Sequence, residues 1–262
     1  FQMIKYQKMH GNGNDFLMIN SLETGFQPKK SFIKKYGERK LGIGFDQLIL
    51  ISPPKNENHS FDIAFYNADG GQADMCLNGI RCAARYVWEE KFHPKTVLNL
   101  NTKKGVLRCE SHNKNIKVLF DEPLELKKLD IKKAIKKICK DSFTFVNAGN
   151  LHLCIKKESI QKFDLENLYF SLETLIKPHN VNLSIYNKLD SNNFEIRTYE
   201  NGVGETLSCG SASASVAMLA LKNKNNFVTI SSKGGKLKFK KVNGQMIMIG
   251  PAKNVCSGII ND

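Results

Sequence analysis

Two cysteines occupy equivalent places in two similar segments of the chain. Residues 66–88 read YNADGGQADMCLNGIRCAARYVW, and residues 198–222 read TYENGVGETLSCGSASASVAMLALK. In each segment a glycine-rich turn leads to a cysteine, Cys76 or Cys209. An apolar or alanine-rich run follows, which predicts a buried helix. Each cysteine therefore falls where a loop becomes a helix N-terminus.

A thiol at such a position could act as a base or a nucleophile. Unpaired backbone N–H groups and the positive end of the helix dipole stabilise the thiolate, so the pKa of the thiol falls. A single cysteine near a helix start is more often just a small buried side chain. The second copy favours the functional interpretation, because two equivalent thiols predict one site that uses both.

Two further motifs indicate that the halves of the chain are related. Residues 9–16, MHGNGNDF, precede the first cysteine, and residues 147–152, NAGNLH, precede the second. Asn14 and Cys76 are 62 positions apart, and Asn150 and Cys209 are 59 apart. Internal self-similarity over such a distance predicts duplicated halves.

The surrounding pattern predicts an α+β protein made of two pseudo-symmetric domains. Short alternating runs at 97–101, 106–109, 227–231, 236–242 and 245–249 predict strands, and Asn243-Gly244 predicts a tight hairpin turn. We expect an N-terminal half, residues 1–120, carrying Cys76, and a C-terminal half, residues 121–262, carrying Cys209. The last ~10 residues could return to the first half.

Composition indicates a soluble globular protein, with 41% apolar and 24% charged residues. There is no apolar run near the ~20 residues needed to cross a bilayer. The seven cysteines, an odd number without metal-type spacing, predict a reducing compartment, and we expect the cytoplasm. With no metal-ligand cluster and no pyridoxal-type lysine motif, we expect neither a metal nor an organic cofactor.

The net charge of +14 raises the alternative of nucleic-acid binding. The lysines, however, are spread along the chain and do not alternate with aromatic residues. The densest run, residues 127–140, predicts an ordinary basic surface helix more than a membrane-surface helix. We therefore expect no nucleic-acid partner and no membrane partner, and a positive field that speeds the arrival of an acidic substrate.

Taken together, these motifs resemble the diaminopimelate epimerase family. The match runs from Gly13-Asn14-Asp15-Phe16 to the Gly-Glu-Thr-x-x-Cys-Gly-Ser motif at 204–211, which is most of the chain. The resemblance implies a cofactor-independent epimerase that interconverts LL- and meso-2,6-diaminopimelate in lysine and peptidoglycan precursor synthesis. One thiolate would remove the Cα proton, and the other thiol would deliver a proton to the opposite face.

The family resemblance also implies a fold and a partner. Each half would wrap strands around a central helix, with the active site in the cleft between the halves. The partner would be a small-molecule amino acid, and the resemblance is compatible with a homodimer.

Roles for individual residues follow from the matched motifs. Catalytic roles are implied for Cys76, Cys209, His152 and Glu200. Substrate binding is implied for Asn14, Gln47, Asn67, Leu77, Asn78, Asn150, Asn180, Glu200, Asn201, Gly210 and Ser211. An asparagine beside a glycine is more often only a turn residue. The remaining cysteines match nothing catalytic.

The chain departs from the family pattern at four positions. Leu77 and Ala212 stand where the family usually has glycine, Leu151 where it has proline, and Asn201 where it has arginine. The arginine would pair with the distal carboxylate, and an asparagine cannot form that charge-assisted contact. Two alternatives therefore stay open: a racemase of broader or glutamate-type specificity with the same two-cysteine chemistry, and a basic nucleic-acid-binding or non-catalytic protein on this fold.

Overall fold

The computed structural model describes residues 3–222 and 226–261. The chain forms two compact units. Unit 1 comprises Phe1–Leu119 together with Ile249–Asp262, and unit 2 comprises Phe120–Met248. The end of the chain therefore belongs to unit 1.

Unit 1 is built from strands with two helices. Its elements are β1 (Met3–Gly11), β2 (Asn14–Asn20), α1 (Lys30–Gly37), β3 (Gln47–Ser52), β4 (Phe61–Asn67), β5 (Gln72–Ala73), α2 (Leu77–Glu89), β6 (Val97–Thr102), β7 (Gly105–His112), β8 (Asn115–Asp121) and, from the chain end, β18 (Lys253–Asn261). Antiparallel pairs join β18 to β1 and β1 to β2, and β2 then runs parallel to β3. Beyond the antiparallel β3–β4 pair, β4 is parallel to β6, and β6, β7 and β8 are antiparallel.

Unit 2 repeats this plan with one more helix. Its elements are β9 (Leu124–Leu126), α3 (Lys132–Ile138), β10 (Phe143–Asn147), β11 (Leu151–Lys156), α4 (Leu165–Ile176), a 3₁₀ turn (Lys177–His179), β12 (Asn182–Lys188), β13 (Asn193–Glu200), β14 (Gly204–Thr206), α5 (Gly210–Ala220), β15 (Val228–Ser232), β16 (Gly235–Val242) and β17 (Gln245–Gly250). Antiparallel β10 and β11 are followed by a parallel β11–β12 pair and an antiparallel β12–β13 pair. Then β13 is parallel to β15, and β15 is antiparallel to β16.

The two units therefore share one order of strand pairings. In both, a helix (α1 or α4) connects the first parallel pair, and a helix that follows the cysteine (α2 or α5) connects the second. The prediction of an α+β protein with two similar halves is confirmed. The predicted hairpin is also confirmed, because Asn243 and Gly244 have φ values of 50° and 78° between β16 and β17.

Each sheet packs a helix against both of its faces. In unit 1, Leu48 and Leu50 join the core cluster that contains Phe32 of α1, whereas the intervening Ile49 faces Gly79 of α2. This alternation follows from the two-residue period of a strand, and both faces of β3 are buried. In unit 2 the sheet packs in the same way on α4.

The helices that follow the cysteines are enclosed by their own units. Ten of the residues of α2 are buried, and in α5 all residues from Gly210 to Met218 are buried. Close packing at the start of α2 requires a glycine. A Cβ on Gly79 would lie only 2.8 Å from side-chain carbons of Ile49 and Phe65. Helices with few polar positions of this kind occupy the centre of a fold.

The basic run at 127–140 forms a shorter helix than predicted. Only Lys132–Ile138 is helical, and of its seven residues only Ile135 is buried. Within residues 3–222 and 226–261, no helix combines the length and the apolar character that a membrane span requires.

Candidate active site

Cys76 lies directly at the start of α2, as the sequence predicts. It is the N-cap residue, and its Sγ accepts a hydrogen bond from the backbone N–H of Gly79 at 3.4 Å. The S–H group points at Oδ1 of Asn14, 3.5 Å away. The side chain is half-buried. The thiol thus sits at the N-terminal end of the helix, where N–H donors and the helix dipole favour negative charge.

The amide of Asn14 is oriented by its other contacts. Its Nδ2 donates to Oδ2 of Asp46 at 2.7 Å, so its Oδ1 faces Cys76. The same Oδ1 accepts from Nδ2 of Asn78 at 3.4 Å. Three predicted site residues, Asn14, Cys76 and Asn78, therefore form one hydrogen-bonded group.

A charged cluster fixes the loop behind Asn14. Arg39 donates to both carboxylate oxygens of Asp15, at 2.8 and 2.9 Å, and to Asp46 at 2.7 Å. Lys8 forms an ion pair with Asp15 at 2.6 Å. Burial alone would raise the pKa of Asp15, but the hydrogen bonds from Arg39 and Lys8 outweigh it and hold that pKa well below its usual range. Asp15 thus remains ionised, and Asp46, joined to Asp15 through Arg39, holds the amide of Asn14 in place.

Gln47 and Asn67 lie opposite each other on β3 and β4. Their pairing follows from the strand register, and Nε2 of Gln47 donates to Oδ1 of Asn67 at 2.8 Å. The other amide atom, Oε1 of Gln47, is buried and has no hydrogen-bond partner within residues 3–222 and 226–261. A glutamine side-chain oxygen is a hydrogen-bond acceptor.

Leu77 is a core residue. It is the first residue of α2, and only 3% of it is exposed, so its side chain points into the unit and not into solvent. What it can offer a ligand is its backbone N–H at the helix N-terminus. The leucine in place of the family's glycine is thereby accommodated in the core.

In unit 2 the corresponding group is a chain of three side chains. Cys209 is the N-cap residue of α5, and its Sγ lies 3.3 Å from Oγ of Ser211. The same Oγ lies 2.9 Å from Nε2 of His152 on β11. Gly210 and Ser211 are the first residues of α5 and are buried. Four predicted site residues therefore meet at this helix end.

His152 is neutral in this environment. It is fully buried, and burial lowers its pKa to about 3. A neutral imidazole carries one N–H, and Nδ1 of His152 is buried without a hydrogen-bond partner among the described residues. Because orphaned buried N–H groups are rarer than orphaned acceptors, the proton belongs on Nε2 and is donated to Ser211. The hydroxyl of Ser211 is then available to donate to the sulfur of Cys209.

Two further predicted residues lie at turns of unit 2. Glu200 ends β13, and its Oε1 accepts from Oγ1 of Thr206 at 2.7 Å. Asn150 is exposed in the turn that precedes β11, with Gly149 beside it at a φ of 90°. The backbone oxygen of Asn150 accepts from the N–H of Ala148 at 3.0 Å. Asn150 thus has a turn role in addition to any contact with a ligand.

The comparisons with known proteins agree with this geometry. The family model described as diaminopimelate epimerase matches residues 6–124 and 144–255. The chain belongs to the diaminopimelate epimerase family. It is 34% identical to a diaminopimelate epimerase of Wigglesworthia glossinidia brevipalpis, over 98% of this chain and 100% of that protein. It is 33% identical to the one of Buchnera aphidicola, over 97% and 95%.

Solved structures show the same fold at low sequence identity. A phenazine biosynthesis protein of the PhzF family from Bacillus anthracis matches with a TM-score of 0.77 and 14% identity, covering 100% of both chains. A hydroxyproline epimerase from Agrobacterium vitis, with bound trans-4-OH-L-proline, matches with a TM-score of 0.73 and 11% identity, covering 99% of this chain and 91% of that one. The chain is an epimerase of the kind that works without pyridoxal phosphate.

Asn201 stands where the diaminopimelate epimerase family usually has arginine, and both ends of its side-chain amide form hydrogen bonds. Its Nδ2 donates to Oδ1 of Asn180 at 3.1 Å, and its Oδ1 accepts from the hydroxyl of Tyr169 at 2.9 Å. Its backbone N–H donates to Oδ1 of Asn182 at 2.9 Å. Asn180 itself has a φ of 52° after the 3₁₀ turn, a conformation that asparagine tolerates well. Asn201 thus completes a small network of polar side chains, whereas an arginine at this position would present a positive charge.

Sequence reasoning missed several residues of these networks, including Asp46, which holds the amide of Asn14. Tyr169 and Asn182 hold Asn201, and Asn182 is also the register partner of His152 on the parallel β11–β12 pair. Asn182 is the first residue of β12, two positions after the predicted Asn180. Arg81, which is buried in α2 and donates to the side chain of Asn12, was missed as well. An arginine among apolar helix positions was its only signal in the sequence.

Proposed function

We propose that the protein interconverts LL- and meso-2,6-diaminopimelate, with one thiol from each unit acting on the same Cα. The observation that carries this proposal is the repeated placement of Cys76 and Cys209. Each is the N-cap of the helix that connects the second parallel strand pair of its unit. Inversion at Cα needs an acid and a base, and two equivalent thiols can exchange these roles when the reaction reverses.

The helix N-termini supply the electrostatics that proton removal requires. An amino acid α-proton is weakly acidic, so the carbanion needs its carboxylate held by positive potential. The first backbone N–H groups of α2, at Leu77 and Asn78, and those of α5, at Gly210 and Ser211, have no acceptor within their own helix. Together with the helix dipoles they form the kind of anion site that binds a carboxylate.

Each thiol has a hydrogen-bond donor that can stabilise its thiolate. Ser211, supported by His152, offers an O–H donor to Cys209. The backbone N–H of Gly79 donates to Cys76. Both sulfurs are thus equipped to serve as the base, as a reaction that runs in both directions requires.

The experiment is incubation of LL-diaminopimelate with the protein in deuterated water. We expect deuterium at one Cα together with formation of the meso isomer. Cys76→Ala and Cys209→Ala should each abolish inversion, and Cys154→Ala serves as the matched control because Cys154 is a buried thiol of unit 2 in the middle of β11 and not at a helix N-cap. Near-normal turnover in either of the first two variants would refute the two-thiol mechanism. If deuterium entered glutamate but not diaminopimelate, the proposal that diaminopimelate is the substrate would be refuted.

The same proposal places the enzyme in the cytoplasm as a homodimer. The support is the sequence, whose seven cysteines form an odd number without the spacing of a disulfide framework or a metal site, which is typical of a reducing compartment. The expectation of a homodimer comes from the family resemblance. Sedimentation velocity at several protein concentrations tests it. A monomer at every concentration would contradict it.

A further inference from the structure

A cavity in unit 2 is lined mostly by lysine side chains. It has a volume of about 470 Å³ and is formed by α3 and by the loop that precedes it. Its lining residues are Lys127, Lys128, Leu129, Asp130, Lys132, Lys133 and Lys136. Five positive charges therefore surround a cavity, called here the lysine cavity, that contains a single carboxylate. It shares no residue with the candidate active site.

The acidic residues that flank the lysine cavity are paired with lysines outside it. Glu125 forms an ion pair with Lys222 at 2.5 Å, and Asp141 forms one with Lys157 at 2.7 Å. The hydrogen bond from Lys222 is the main cause that lowers the pKa of Glu125, and the lysines of the cavity add less. Across residues 3–222 and 226–261, no carboxylate forms an ion pair with any of the five cavity lysines.

The spacing of the lysines on α3 makes their charges oppose one another. Lys132 and Lys136 are four positions apart on this helix. Lys133 and Lys137 repeat the spacing one residue later. Like charges at this spacing lie on one helix face and destabilise the helix. Only Ile135 of the seven residues of α3 is buried, so little packing offsets the repulsion. An anion that neutralised these charges would stabilise the helix.

Contacts of the loop hold the lysine cavity in shape. Leu129 and Ile131 pack against the core cluster that contains Ile135. The backbone N–H of Lys132 donates to the backbone oxygen of Leu129 at 3.1 Å. Nζ of Lys132 donates to the backbone oxygen of Lys127 at 3.5 Å. The charges are therefore carried on an anchored backbone, and a ligand would meet a concave surface that is already formed.

The lining favours a ligand that carries several negative charges close together. A ligand with one carboxylate would leave most of the five lysines uncompensated. Lysine binds phosphate as a point charge, and a lining without arginine recognises charge more than planar, bidentate geometry. The volume of the cavity is in the range that small ligands occupy. A short chain of phosphate groups meets both requirements.

We propose that the lysine cavity binds a short chain of phosphate groups, such as that of inorganic tripolyphosphate or of a nucleoside triphosphate. The lining contains no aromatic side chain on which the bases of a single-stranded nucleic acid could stack. Its one apolar residue, Leu129, packs against the core and is not presented to a lipid surface. The site is independent of the proposed epimerisation, because it uses none of the residues of the active site.

The test is isothermal titration calorimetry of the full chain with sodium pyrophosphate, sodium tripolyphosphate and ATP, without divalent cations and at about 0.1 M salt. We expect one tripolyphosphate to bind per chain. Pyrophosphate should bind about tenfold more weakly, because it brings fewer charges to the lysines. Equal affinities for tripolyphosphate and ATP would assign the site to the phosphate chain alone, and tighter binding of ATP would assign it to nucleotides. Either result supports the proposal.

A triple variant removes charge from the lysine cavity itself. Lys128→Gln, Lys132→Gln and Lys136→Gln together should weaken tripolyphosphate binding about tenfold, since each exposed charge contact contributes modestly. Tripolyphosphate should also raise the melting temperature of the wild type, because it binds the folded chain and relieves the repulsion on α3. In the triple variant this rise should be much smaller.

A second triple variant with the same net charge is the matched control. Lys156, Lys188 and Lys238 are exposed lysines of unit 2 that do not line the cavity. Their combined replacement by glutamine should leave tripolyphosphate binding as in the wild type. Equal weakening in both triple variants would overturn the proposal, because the diffuse positive charge of the chain would then bind the anion.

Two further results would also overturn the proposal. One is the absence of saturable tripolyphosphate binding to the wild type at millimolar concentration. The other is binding to a single-stranded oligonucleotide, or to vesicles of phosphatidylserine and phosphatidylcholine, by a chain that does not bind tripolyphosphate. That result would assign the lysines to a macromolecular surface. None of these measurements uses diaminopimelate, so failure of the lysine cavity and failure of the proposed activity are distinguishable.

Discussion

Ser211 places its hydroxyl oxygen 2.9 Å from Nε2 of His152, in a buried position at the start of α5. The same oxygen lies 3.3 Å from the sulfur of Cys209. The histidine thus acts on the cysteine through the serine and not by direct contact. Because His152 is neutral, it contributes a directed N–H donor and no charge.

The first prediction concerns Ser211. Ser211→Ala removes the O–H donor to Cys209, and a hydrogen bond to a charged group contributes about 1.5–3 kcal/mol, or roughly 10- to 100-fold in thiolate stability. We expect the titration midpoint of Cys209 to rise by about one to two pH units, measured in a Cys76→Ala and Cys256→Ser background. In the Ser211→Ala variant that retains both Cys76 and Cys209, epimerisation at neutral pH should fall in parallel.

Ser215→Ala is the matched control for this prediction. Ser215 is buried in the same helix, and its hydroxyl donates to the backbone oxygen of Ser211 at 2.8 Å. Its removal should reduce stability without moving the Cys209 midpoint. Equal midpoints in both serine variants would show that Ser211 does not act on the sulfur.

The second prediction is a dependence of stability on pH that arises from His152. Its folded pKa of about 3 lies below the unfolded value of 6.5. The neutral form is therefore favoured by folding, so this contribution to stability is present above pH 6.5 and is lost as the pH falls toward 3. At pH 5 the loss amounts to about 2 kcal/mol, from 1.36 kcal/mol per pH unit.

Urea unfolding at neutral pH and at about pH 5 measures this loss. His152→Gln is the comparison, since an amide keeps an N–H donor for Ser211 but does not titrate. The variant should be less stable at neutral pH and lose less stability on acidification. If both proteins lost the same free energy of unfolding on acidification, titratable groups other than His152 would be responsible.

The third prediction concerns the close packing of α2. Gly79→Ala would put a Cβ 2.8 Å from carbons of Ile49 and Phe65, and such overpacking typically destabilises by about 1–3 kcal/mol. Because the N–H of Gly79 donates to Cys76, activity should fall further than the loss of stability explains. Gly105→Ala is the control for an added methyl group that meets no neighbour, although its φ of 116° adds backbone strain. Unchanged turnover in Gly79→Ala would show that the N-cap geometry tolerates a shift.

The placement of both cysteines was predictable because it depends on local chemistry. Turn residues, then a cysteine, then an apolar run define a helix start without any distant contact, and the structure has Cys76 and Cys209 at N-caps. The duplication was likewise readable from sequence spacing, and the repeated order of strand pairings confirms it.

What the sequence could not provide was the set of partners around each site. Arg81 contacts the oxygen of Pro251, 170 positions away, and the side chain of Asn12, 69 positions away. Tyr169 reaches Asn201 across 32 positions. No local pattern encodes such pairings, because they depend on how strands are ordered in the finished unit. The shorter α3 has a similar cause, since only Ile135 of this lysine-rich helix is buried to stabilise it.

The last prediction concerns Asn201, which stands where the diaminopimelate epimerase family usually has arginine. An arginine there can form a charge-assisted pair with the distal carboxylate of diaminopimelate, worth roughly 1.5–3 kcal/mol or about one to two orders of magnitude in affinity. The structure shows what the replacement removes. Asn201→Arg loses the hydrogen bonds with Asn180 and Tyr169, at about 1 kcal/mol each.

We expect the gain to exceed the loss for diaminopimelate only. At the upper end of that range, about 3 kcal/mol gained against about 2 kcal/mol lost leaves about 1 kcal/mol, so Asn201→Arg should lower KM for diaminopimelate about fivefold and leave glutamate turnover unchanged or reduced. Tyr169→Phe is the matched control, because it breaks the same network from the other side without adding a charge. Steady-state kinetics of the wild type and both variants on the two substrates decide the case. If the wild type is already selective for diaminopimelate and Asn201→Arg is no better, while Tyr169→Phe impairs it, then the amide network itself recognises the distal end and the asparagine is a compensated substitution.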